Sequence, residues 1–174
     1  NKVLLNKVSP IGKVIKEGVE GIKELKNQFS DAYSKAWSRA EAPDLEDLVG
    51  VSDNIGRVAK DLGGGSRVIL KGVNDDLLNL IDVTNSGRGL KQLDNKLRKH
   101  ISSAAKQGDD ALEMTLKGVR ADLRNIAGPD VQDALAKIDG KYGNFVAVRD
   151  AGSTKSVMEA GGVMEPTQLM AVVK

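Results

Sequence analysis

The stretch DALEMTLKGVRADLRNIAGPDVQDALAKIDGKYGNFVAV, residues 110–148, decides the fold. Its apolar residues Leu112, Leu116, Val119, Leu123 and Ile126 fall at steps of four, three, four and three, which places them on one face of an α-helix. After Gly128-Pro129 the rhythm resumes with Val131, Leu135, Ile138, Tyr142 and Phe145. Glycine can take the left-handed backbone that ends a helix, and proline suits the first turn of the next. The spacing therefore predicts two amphipathic helices folded back as a hairpin, with Leu116, Leu123, Leu135 and Ile138 along the seam. The fold class expected from it is all-α, built of extended or bundled amphipathic helices with helical hairpins joined by Gly/Pro turns.

On the N-terminal side, Asp109-Asp110 places carboxylates at the positive end of the first of these helices, so capping explains the pair without metal or catalysis. The preceding helix carries Leu90, Leu93, Leu97, Ile101 and Ala104 on one side and is closed by Gln107-Gly108. Another is expected over Leu70, Val73, Leu77, Leu80 and Ile81, with a turn at Asn85-Ser86-Gly87. The run Gly63-Gly64-Gly65-Ser66 reads as a flexible linker; no Lys-Ser or Lys-Thr follows it to make a phosphate loop. Short helices are expected over 44–49 and 52–62. Ser9-Pro10 reads as a helix start, and Ile11, Ile15, Gly18, Ile22, Leu25, Phe29, Ala32 and Ala36 predict one helix of about 25 to 30 residues, ended by Ala42-Pro43. These segments divide the chain into an N-terminal helical arm, 1–63, and a C-terminal helical region, 64–174, which contains the hairpin 110–148 and a joint at 161–174.

Composition narrows the function classes. The 174 residues are only 3% aromatic, so a core has to be built from Leu, Val, Ile and Ala, which suits thin helical layers better than a globular enzyme. The net charge is +2, so affinity for nucleic acid or membrane has to come from a local patch. There is no cysteine, which excludes disulfides and thiolate metal sites. His100 is the only histidine, and Gly87 and Gly89 lack the third glycine of a dinucleotide fingerprint. Asp75-Asp76 and Glu46-Asp47 are neighbours in sequence and are expected to point different ways from their helices. Trp37, Tyr142 and Phe145 are expected in the core or an interface. No cofactor, metal site or catalytic residue is expected, and no enzymatic activity or small-molecule substrate. The chain begins at Asn1 rather than Met and stops at Lys174 within an apolar helical pattern, as a piece of something longer would.

Two patches offer binding chemistry. Between residues 88 and 106, Arg88, Lys91, Lys96, Arg98, Lys99 and Lys106 face one acid, Asp94; Arg88, Lys91, Lys96, Arg98 and Lys99 are the candidate phosphate contacts of a DNA-binding module. In the N-terminal arm, Val3, Leu4, Leu5, Val8, Ile11, Val14 and Ile15 alternate with Lys2, Lys7, Lys13 and Lys16, a composition that can lie on a membrane interface or against a partner helix.

The last 55 or so residues carry a resemblance. Asp122–Ile126, Gly128-Pro129-Asp130, Ala134-Leu135, Ile138-Asp139 and Tyr142 lead through Arg149 to residues 160–172, AGGVMEPTQLMAV. The pattern resembles a segment of large virion-associated proteins of tailed bacteriophages, of the internal virion, DNA-ejection or tape-measure type. There a helical pair ending in a tyrosine-bearing helix precedes a Gly-Val-aromatic-Thr-Pro-x-Gln-Leu box; here Met164 stands in place of the aromatic residue and Glu165 in place of the threonine. Physically, Gly161 and Gly162 break the chain, Pro166 sets a first turn, and Val163, Met164, Pro166, Leu169 and Val172 form a candidate partner-docking face. The resemblance implies a structural virion protein, sited in the capsid interior or tail, reaching the host envelope on ejection. Its implied partners are other virion proteins and copies of itself, with nucleic-acid backbone or transient membrane contact.

Overall fold

The computed structural model describes residues 2–80 and 86–152. Helix accounts for 82% of them and no strand occurs among them, so the chain is all-α as its periodicity requires. The helices are α1 (Lys2–Val8), α2 (Gly18–Trp37), α3 (Leu45–Ala59), α4 (Gly64–Leu78), α5 (Ser86–Gln107), α6 (Asp110–Ile126) and α7 (Pro129–Gly152). The described residues group into two compact units, one formed by residues 2–35 with 134–152 and the other by 36–80 with 86–133. The boundary expected at residue 63 does not separate these units, because α3 and α4 on either side of it pack together.

In the second unit α3 packs on α4, α4 on α5, α5 on α6, and α6 returns to α3, so four consecutive helices close a ring. Each buries the stripe its sequence spaces out: Leu48, Val51 and Ile55; Leu70, Val73 and Leu77; Leu90, Leu93 and Leu97; Leu112, Leu116, Val119 and Leu123. The expected linker at Gly63–Ser66 is part of this framework. Gly63 is the N-cap of α4, Gly64 and Gly65 are its first residues, and Arg67 donates to the carbonyls of Ala59, Lys60 and Leu62 at the end of α3. Carbonyls at a helix terminus lack their full set of intrahelical partners, and by binding three of them one arginine joins two helices into a tight hairpin. The two short helices expected over 44–62 are likewise one, α3, running through Gly50.

The junction from α5 to α6 follows the sequence. Gly108 takes φ +69°, the Asp109 amide reaches back to the Ala104 carbonyl, and the Asp109 carboxylate accepts from the Leu112 amide at 3.0 Å. The same carboxylate accepts from Ser66 Oγ at 2.8 Å, tying the start of α4 to the start of α6.

The first unit gathers both tyrosines and both phenylalanines of the chain. Phe29 lies 5.2 Å from Tyr142, edge to face, and 5.3 Å from Phe145; Tyr33 lies 6.1 Å from Tyr142. Leu5, Val8, Val14, Leu25 and Val148 complete this core, with Ile138 packed against it, and the Tyr33 hydroxyl donates to Asp139 at 2.6 Å. Ile138 is therefore spent here, while Leu116 and Leu123 belong to the second unit. The expected seam of Leu116, Leu123, Leu135 and Ile138 is corrected: periodicity marks which face is apolar and not which partner covers it.

The helix expected to start at Pro10 is also corrected. Ser9 ends α1, and its Oγ accepts from the amides of Ile11 and Gly12 at 3.1 and 2.9 Å. Gly12 has φ +75° and Gly18 φ +56°, outside the helical region, so α2 begins only at Gly18. The loop between is tied down side chain by side chain: Asn6 Oδ1 accepts from the Val14 amide, Glu24 from those of Ile15 and Lys16, and Gln28 donates to the Lys13 carbonyl. A Cβ at Gly21 would lie 2.7 Å from the Lys16 carbonyl oxygen, so only glycine lets this loop lie so close to α2.

Candidate functional site

On α5 the basic residues divide by direction. Arg88, Lys99 and Lys106 are exposed, and because they stand eleven and seven residues apart they return to one side of the helix. Lys96 turns toward α4 and forms an ion pair with Asp76. Arg98 is half-buried and donates to Asn95 Oδ1 at 3.4 Å, and Lys91 and His100 are half-buried. The five residues expected to hold phosphate together therefore do not share one face. Arg88 and Lys96 line a groove of about 560 Å³ between α4 and α5, with Asp76, Asn79, Gln92 and Leu93.

Asp94, which sequence counting treats as a surface acid offsetting these cations, is 3% exposed. Two guanidiniums of α6 grip it. Arg120 Nε and Nη2 approach Oδ1 and Oδ2 at 2.8 and 3.2 Å, and Arg124 Nε approaches Oδ1 at 2.9 Å. Burial by itself pushes the carboxyl pKa up, but the hydrogen bonds and positive charge of Arg120 and Arg124 outweigh it and hold the group below its ordinary 3.8. A carboxylate one position past Leu93 on the apolar face, and arginines at i and i+4 beside Val119 and Leu123, were the available signal. Nothing in local spacing couples residues 26 and 30 positions apart.

The opposite groove, between α3 and α6, has a volume of about 290 Å³ and is lined by Glu46, Asp47, Asn54 and Asp122. Glu46 and Asp47, consecutive residues of α3, are both exposed. Asp122 accepts from Asn54 Nδ2 at 3.0 Å, a bond that joins the two helices. Among the described residues no group of three or more His, Cys, Asp or Glu side chains is placed to hold a metal ion, and no helix is long and apolar enough to cross a membrane.

In the first unit the lysine-rich arm is sorted by burial. Leu5, Val8 and Val14 enter the core, whereas Val3, Ile11, Ile15 and Val19 are 73, 68, 65 and 62% exposed. Glu24, whose carboxylate accepts from the amides of Lys16 and Ile15, has its pKa lowered chiefly by these two bonds. Phe145 is buried and Tyr142 half-buried in the aromatic cluster, and Trp37, which belongs to the second unit, is buried as well, as expected of core residues. The expected docking residues Val163, Met164, Pro166, Leu169 and Val172 lie outside the described residues. Comparison of the chain with protein-family models, curated proteins and solved structures finds no match.

Proposed function

We propose that the chain is a structural component of a phage particle, an internal virion protein segment that is delivered with the genome or assists its ejection, and that its partners are other virion proteins and copies of itself. The observation that carries this reading is the order of elements over 110–152. Two helices are joined at Gly128, with φ +96°, and Pro129, and the second bears Tyr142, which is the pattern of the resembling virion segments. Helices arranged in two compact units suit a protein that has to be rearranged in transit, because such units can open separately. No catalytic role is assigned to the segment. Mass spectrometry of purified particles from the encoding strain is expected to detect its peptides, and changing Leu169 and Val172 to Ser is expected to deplete it from them. Particles free of the wild-type chain would overturn the reading.

A second reading, a helical module that holds a nucleic-acid backbone, is favoured by the exposed line of Arg88, Lys99 and Lys106 on α5. It differs from the first in predicting salt-sensitive binding to any duplex.

A further inference from the structure

The first unit spends many bonds on holding a short loop in place. Between Ser9 and Gly18 there is no helix, yet the amides of Ile11, Gly12, Val14, Ile15 and Lys16 are each taken by a side chain: Ser9, Ser9, Asn6, Glu24 and Glu24. Ser9 Oγ itself donates to Gln28 at 2.8 Å, and Lys141 of α7 donates to the Ser9 carbonyl at 2.9 Å. Val14 plugs the core at 1% exposure. Its neighbour Ile15 is thereby turned outward, as are Ile11, Val3 and Val19. Large aliphatic side chains on a loop this well tied are presented to solvent by the fold.

The charges around them have one dominant sign. Lys2, Lys7, Lys13 and Lys16 are exposed, and residues 2–16 contain no acid. The acids that follow are Glu17, which is exposed, Glu20, which pairs with Lys16 and Lys23, and Glu24, which is occupied by the loop amides. Aliphatic side chains that stand out between lysines complement a surface that is apolar beneath and anionic on top, the arrangement of an anionic bilayer's headgroup region. A duplex would answer the lysines but leave the isoleucines in water, and a second copy would bring lysines against lysines.

We infer that the loop between α1 and α2 is a lipid-docking element, which inserts Ile11 and Ile15 at an anionic membrane surface while Lys2, Lys7 and Lys13 hold the headgroups. The inference stands apart from the particle reading: the chain can be present in particles and fail to bind lipid, or bind lipid and be absent from particles.

The test is flotation of the full chain with phosphatidylcholine vesicles, with and without phosphatidylglycerol. Binding is expected only where the anionic lipid is present and is expected to weaken with salt. Each lysine near such a surface is worth about fivefold in partitioning, so Lys7→Gln with Lys13→Gln is expected to lower it roughly 25-fold. Ile11→Ser with Ile15→Ser, both at exposed positions, is expected to abolish flotation while leaving the helical circular dichroism unchanged. Three results would each overturn the inference. One is a folded wild-type chain that ignores anionic vesicles. Another is flotation that survives the double isoleucine change. The third is self-association removed by that change with no lipid binding, which would assign the surface to a second copy.

Discussion

Arg120 on α6 meets Asp94 on α5 through two parallel hydrogen bonds, Nε to Oδ1 at 2.8 Å and Nη2 to Oδ2 at 3.2 Å, deep in the second unit. The pair is joined by Arg124, and while the carboxylate is only 4% exposed the arginines keep 19 and 13% of their side-chain surface. The carboxylate is thus removed from water on the strength of the two guanidiniums, each of which retains some hydration.

Replacing Asp94 by Ala is expected to remove the carboxylate that lies between Arg120 and Arg124 and to leave their two like charges facing each other. Breaking such a buried arrangement costs about 3 to 5 kcal/mol, and the residual hydration of the arginines places this case toward the lower end. Urea unfolding of the variant checks the figure; a loss below about 0.5 kcal/mol, the size of an ordinary surface change, would mean that the cluster contributes nothing.

The same cluster sets a pH dependence. The folded pKa of Asp94 lies below its ordinary 3.8, so the folded state binds the proton less readily than the unfolded one. Its contribution is complete above the ordinary value and is lost as pH falls through the lowered one. Stability measured from pH 6 down to pH 2 is expected to fall less steeply in Asp94→Asn than in the native chain. Parallel curves would remove Asp94 from the acid response.

Core truncation separates the two units. Leu123 and Leu25 are both fully buried, and changing either to Ala is expected to cost about 2 to 5 kcal/mol. Hydrogen exchange is expected to rise across α3–α6 for Leu123→Ala and around Phe29 and Phe145 for Leu25→Ala, and identical exchange patterns would argue for a single cooperative unit. Lys117, 60% exposed and paired with Glu113, is expected to cost under about 0.5 kcal/mol when changed to Ala. Lys141 is expected to cost more, about 1 kcal/mol, because its ammonium holds the Ser9 carbonyl.

Two glycines with open space around them are expected to respond with opposite sign. At Gly118, inside α6, alanine meets nothing within 4 Å and is expected to stabilise by up to about 1 kcal/mol. At Gly128, equally open but at φ +96°, alanine is expected to destabilise by about 1 kcal/mol or more through backbone strain alone. Thermal melts of the two variants against the native chain give the comparison.

For the nucleic-acid reading, changing Lys96, Arg98 and Lys99 together to Gln tests a face the fold has divided. Each phosphate that a variant no longer neutralises reduces the log–log salt slope by about 0.9, so three phosphate-bound side chains would account for about 2.7. Since Lys96 is engaged with Asp76, the reduction expected from this triple is smaller than that from Arg88, Lys99 and Lys106 changed together. Filter binding to duplex across a salt series decides it; no measurable binding by the native chain would eliminate the module.

What depends on near neighbours was legible in the order of residues. The stripe Leu112, Leu116, Val119 and Leu123, the Asp109 cap, the end of α5 at Gly108 and the Gly128-Pro129 junction each follow from residues within a turn or two of one another. The boundaries that failed also have local causes, but weaker ones. A serine hydroxyl and two glycines put off to Gly18 the helix that hydrophobic spacing would have begun at Pro10, and Arg67 turned a glycine run into a capped hairpin. Long-range packing set which apolar face meets which, because a stripe of leucines is equally complementary to any other. It alone brought Asp94 to Arg120 and Arg124, and it alone turned Val14 inward and Ile15 outward on the same loop. Such choices rest on contacts between residues far apart in the chain, and their energies depend on burial, which is a property of the packed molecule and not of any single segment.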